Sequence, residues 1–104
     1  MADGMTIRTA QGTFDHGSNR DVDTEAEVLT STVFDCAQGV LIKAALSNTG
    51  TVYVGNSDVT AGSAAATDGF PLSAGASLAL EFIRPDQIYV IASTANQVVY
   101  WLGI

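Results

Sequence analysis

Cysteine occurs once, at Cys36, in a chain of 104 residues. A lone thiol excludes an intrachain disulfide and a thiolate metal cluster. Cys36 is read as a small apolar filler near the start of a strand, in a protein made and folded in a reducing cytoplasm. Positive charge is almost as scarce. Arg8, Arg20, Lys43 and Arg84 stand dispersed against eleven acids, for a net charge of −7. No basic stripe exists to neutralise a run of phosphates, which argues against nucleic acid as a partner. Long apolar runs are missing too: none approaches the roughly 18 residues that cross a bilayer, so no membrane partner is expected. The beginning, "MADGMTIRTAQGTF", has no basic stretch followed by an apolar one and does not read as a secretory signal.

Charged residues make up only 14% of a chain that is 47% hydrophobic, against about 25% charged in ordinary soluble domains. Part of the apolar share is fifteen alanines, which cover little core. A small domain short of surface charge often hides some surface against copies of itself or a larger assembly, although Ser, Thr and Gly also make an uncharged soluble surface. The expected partners are therefore protein surfaces, with a homo-oligomer first among them.

The local pattern is that of strands. Residues 1–20 are polar and glycine-containing, and are read as a flexible N-terminal arm with a weak strand candidate at Thr6–Thr9 and a turn at "DHGSN", 15–19. Residues 21–104 are read as a single β domain. Thr24 and Glu27 form a formal capping box, but the β-branched residues after them favour a strand. "GVLIKAAL" from Gly39 ends in the turn cluster "SNTG" and is followed by "TVYVG", so a hairpin is expected between the two. "SLALEFI" at 77–83 alternates Leu78, Leu80 and Phe82 against Ala79, Glu81 and Ile83, and "QIYVIAS" at 87–93 is its expected hairpin partner across "RPD". In "QVVYWLGI" Val98, Tyr100, Leu102 and Ile104 face one way, and Val99 and Trp101 the other. The fold class that follows is all-β, a small antiparallel β-sandwich or jelly-roll-like barrel with an N-terminal arm.

Both faces of the last two strands are apolar. One builds the core, and Tyr89, Ile91, Val99 and Trp101 are left to be covered by a partner or, within the subunit, by a second sheet layer or the long loop at 57–76. Phe70, which with Pro71 and Leu72 tucks that loop back onto the sheet, joins them as a candidate interface residue. The "AGSAAAT" part of the loop is expected to protrude, since loops beyond about 12 residues are usually functional or mobile.

Residues able to do chemistry are few. His16 lies between Asp15 and Ser18, but three near neighbours on one loop do not converge as nucleophile, base and orienter. Asp21, Asp23, Glu25 and Glu27 would share one face of an extended strand, where a solvated acidic face is favoured over a calcium site because a line of carboxylates closes no cage. No nucleophile elbow, P-loop or dinucleotide glycine pattern is present. The reading is of a protein that is not an enzyme and needs no cofactor or metal. Tyr53, Tyr89, Tyr100 and Trp101 could make an aromatic shelf for a sugar, with Asn96 and Gln97 near Tyr100 as a polar rim, but aromatic residues in sandwiches are more often core or interface, and that reading is favoured.

The block "GVLIKA…NTGTVYVGNSDVT…GFPLSAGASLALEF…DQIYVIAS…QVVYWLGI", over residues 39–104, resembles a family of small structural proteins of tailed bacteriophages in which these strand patterns recur in this order. Residues 1–38 lie outside the resemblance, and "AGSAAAT" lengthens the loop beyond the usual form. The resemblance carries no catalytic residues. It implies a virion component made in the host bacterial cytoplasm: a capsid decoration (cement) protein, trimeric, bound at the capsid surface to the major capsid protein. A head-fibre, tail or baseplate module and a host-glycan-binding module are the alternatives.

Overall fold

The computed structural model describes residues 13–104. The Met1–Met5 arm and the Thr6–Thr9 strand candidate lie outside the described residues. Among the described residues eight strands follow, β1 (Asp15–Val22), β2 (Glu27–Val28), β3 (Gly39–Ala44), β4 (Val52–Gly55), β5 (Phe70–Leu72), β6 (Ser77–Glu81), β7 (Tyr89–Ala92) and β8 (Gln97–Gly103), with a 3-10 turn at Pro85–Gln87. They form two antiparallel four-stranded sheets, in the orders β1-β8-β3-β6 and β2-β7-β4-β5. The pairs β4·β5, β3·β6, β2·β7 and β1·β8 are nested one outside the other. A ribbon paired in this way and rolled so that β3 meets β8 and β4 meets β7 is a jelly roll. The expected all-β sandwich of jelly-roll type is the observed architecture.

Alternation at period two decides what each strand buries. β3 sends Val40, Ile42 and Ala44 inward and leaves Leu41 and Lys43 outside. Val52 and Val54 of β4, Leu72 of β5, and Val90 and Ala92 of β7 face them from the second sheet, with Val22, Leu29, Ile88, Val99 and Trp101 completing the core. Each fully buried Val, Leu or Ile contributes about 1.5–3 kcal/mol relative to exposure.

Three expectations about the chain's path are corrected. "DHGSN", with residues 15–20 of the expected arm, belongs to β1, which pairs with β8 from Asp15↔Gly103 to Asn19↔Val99 and bulges before Val22↔Gln97. Its inward positions carry almost no apolar side chain because Trp101 already fills the space: a Cβ on Gly17 would come within 2.7 Å of the indole Nε1. The hairpins expected between β3 and β4 and between β6 and β7 do not form, since each of these links carries the chain from one sheet to the other. Side chains build the first link. Asn48 pairs like a strand residue with Val98, its Oδ1 accepting from the Val98 N–H at 2.8 Å and its Nδ2 donating to the Val98 carbonyl at 2.9 Å. Buried Gln97 accepts the N–H groups of Thr49 and Gly50 at 2.9 Å each and donates to the Ala95 carbonyl at 2.9 Å. "SNTG" is thus an arch between sheets. The third correction concerns the acidic series: β1 ends at Val22, and Asp21, Asp23, Glu25 and Glu27 do not share a strand face. Glu27 instead accepts from Asn19 Nδ2 at 3.2 Å, and Asp23 Oδ1 from the Asn96 N–H at 3.2 Å.

Candidate functional site

The five candidate interface residues do not share a surface. Val99 and Trp101 are core residues, with 0% and 4% of their surface exposed, so they are corrected from interface to core. The alternation in β8 is as expected, but the sandwich interior lies on the Val99 side and Val98, Tyr100 and Leu102 face out. Tyr89 is half-buried and Ile91 is buried on the outer face of the second sheet. Phe70 is exposed, beside a groove of about 280 Å³ where the two sheets part at Leu78, Leu80, Ile83 and Ile88. The polar rim expected at Asn96, Gln97 and Tyr100 is not assembled: the Gln97 amide is spent inside the arch, and Tyr100 lies on the outer face of the first sheet. His16 is exposed on β1, and Asp15 Oδ1 accepts from the His16 backbone N–H at 2.8 Å rather than from its ring.

Two other surfaces emerge, one on each outer face. On the first sheet Leu41 lies between Leu102 and Ala79 as their direct cross-strand partner. At this corner a groove of about 360 Å³ is lined by Gln38, Leu41, Ala79, Glu81, Phe82 and Ile104, among others. Phe82 was expected to share a strand face with Leu78 and Leu80. Instead β6 stops at Glu81, and Phe82 takes a φ of +57° with its side chain 86% exposed, while its N–H donates to the Gln38 carbonyl at 2.7 Å. The left-handed conformation costs a bulky L-residue roughly 1–2 kcal/mol. Nothing in the letters "LEFIR" signals the reversal.

On the second sheet Tyr53 lies between Pro71 and Ile91 as their direct cross-strand partner. Around it three links of the chain, contributing Thr24, Thr60–Gly62 and Ser93, wall a groove of about 460 Å³. The loop wall is tied down by Asp68, whose carboxylate accepts from Thr60 Oγ1 at 2.6 Å and from the Ala65 N–H at 2.8 Å. The Thr60 hydroxyl and then the Ala65 N–H hold the Asp68 carboxyl below its ordinary pKa. Gly62 turns this wall at φ +143°, with Asp68 Oδ1 only 3.6 Å from where a side chain would begin. Thr60, Ala61 and Gly62 thus border the sheet beside Ile91, while residues 62–67, most of "AGSAAAT", are exposed as expected.

Cys36 is half-buried against Phe34 and Gly103. Burial pushes its thiol pKa up, outweighing the hydrogen bond from the Ile104 backbone. Among the described residues no group of three or more acidic, His or Cys side chains is placed to hold a metal. Comparison with known proteins finds no matching family model, no matching curated protein and no matching solved structure.

Proposed function

We propose that this chain is a structural protein of a tailed-phage virion, a capsid decoration (cement) protein that binds the assembled head and ties neighbouring subunits of the major capsid protein together. It acts as a homo-oligomer, with a trimer as the expected state. The observation that carries the reading is Phe82, a strained aromatic held out of its own core at the lip of an apolar groove. An isolated subunit gains nothing from that placement. Burying the ring against another protein surface would return about 1.5–3 kcal/mol per copy, comparable to or above the backbone strain of roughly 1–2 kcal/mol. Repeated across a lattice, such modest contacts multiply through avidity, and binding only to the assembled lattice raises its stability.

The test uses the full chain, its Phe82→Gly variant, and expanded heads that lack the protein. Sedimentation velocity reads the oligomeric state, and co-sedimentation reads attachment. Wild type should be trimeric and pellet with heads. Phe82→Gly should melt no lower than wild type, because glycine accepts the positive φ, yet attach about tenfold more weakly. A monomer that ignores heads would refute the proposal, and binding to tails would move it to a tail or baseplate module.

A further inference from the structure

We propose that the groove over Tyr53 is a binding site for a neutral carbohydrate. This goes beyond the docking role above and uses the opposite face of the sandwich, so the two readings stand or fall separately. Tyr53 and Ile91 present a half-buried aromatic ring and an aliphatic neighbour on one sheet face, which suits the C–H face of a pyranose.

The walls then fix the polarity. Ser93 Oγ accepts the Thr51 N–H at 3.0 Å, which orients the hydroxyl and leaves its own proton available to donate. Thr60 Oγ1, within 2.6 Å of Asp68 Oδ1 and 3.0 Å of Thr67 Oγ1, keeps a lone pair to accept with. The Thr24 hydroxyl is exposed and has no hydrogen-bond partner among the described residues. Donor and acceptor thus stand above an apolar floor, in the arrangement a sugar ring with hydroxyls at its edge demands.

Charge narrows the class further. All eight lining residues are uncharged, and the chain carries −7 overall, so a sialic acid, uronic acid or phosphate would find repulsion and no ion pair. The volume of about 460 Å³ has room for one or two sugar units. Ala61 and Gly62 keep the opening clear, and the Asp68 tether sets the wall before any ligand arrives, which lowers the ordering cost of binding.

The experiment is saturation-transfer NMR on the full chain with glucose, galactose, mannose, N-acetylglucosamine, lactose, cellobiose and chitobiose, with N-acetylneuraminic acid as the charged control. Wild type should transfer saturation to at least one neutral sugar and none to the charged one. Tyr53→Ala should weaken that binding about tenfold or more. Because Tyr53→Ala also removes sheet packing, Ala61→Arg serves as a second variant that fills the groove from the loop; it should abolish transfer with the melting temperature unchanged. No transfer to any neutral sugar, transfer to the charged sugar alone, or undiminished transfer in Ala61→Arg would each overturn the proposal.

Discussion

Replacing Gln97 by leucine isolates the arch that joins β3 to β4. The residue is 3% exposed, and its Oε1 takes the N–H groups of both Thr49 and Gly50. Leucine keeps most of the volume and removes the acceptor, while the Ala95 carbonyl loses the donor it now has at 2.9 Å. Each buried polar group left unpaired costs about 1–3 kcal/mol. Thr49 and Ala95 are themselves exposed and Gly50 is half-buried, so water reaches the arch and each group costs about 1 kcal/mol, the bottom of that range. The three groups together cost about 3 kcal/mol. At roughly 4–8 °C per kcal/mol for a domain near this size, the melting temperature should fall by roughly 10–25 °C. Trp101 is the chain's one tryptophan and is buried, so its emission reports urea unfolding directly. A Gln97→Leu protein within about 0.5 kcal/mol of wild type would show that the amide does not hold the arch.

Trp101→Ala should cost about 3–5 kcal/mol through the cavity it leaves, read by urea unfolding followed by circular dichroism. Asp68 has a folded-state pKa below its unfolded one, so its tether is present above the unfolded value near about 3.9 and is lost as pH falls through the folded value. Amide exchange at Ala65 should therefore quicken only in strong acid, whereas Asp68→Asn should loosen the 60–68 wall at neutral pH with little change in global melting. Cys36, with its pKa raised by burial, should react with a thiol reagent well below the rate of a free cysteine at pH 7 and catch up on unfolding; equal rates in the folded state would contradict its placement.

The strands with sustained alternation were legible in the letters. "GVLIKA", "VYVG", "SLALE" and "QVVYWLG" all appear close to where period two puts them. Which strands pair was not legible, because a turn cluster such as "SNTG" looks the same whether it closes a hairpin or crosses between sheets. The difference lies in Gln97 and Asn48, side chains far apart in sequence that meet only in the fold. β1 was hidden for a related reason. An edge strand whose inward neighbour is a tryptophan needs glycine where apolar alternation would otherwise be seen. As for the sites, Tyr53 and the long loop were both visible as candidates, but their meeting depends on Thr60, Ala61 and Gly62 bordering the sheet, and the reversal at Phe82 runs against ordinary backbone preference.

The nested pairing also sets an order on biosynthesis. β8 leaves the ribosome last of the eight strands, yet it occupies an interior place in its sheet, between β1 and β3. Until it arrives, β1 has no neighbour to bond with, and the Asn48 and Gln97 clasps lack one half of each contact. β4 and β5, joined by one loop, can zip early; the outer pairs must wait for residues translated long after their partners. A nascent chain stopped short of Gln97 would therefore lack the central strand on which the Leu41 face is built. Only molecules translated through β8 could offer that face to a partner, so incomplete chains would be kept out of any assembly by topology alone.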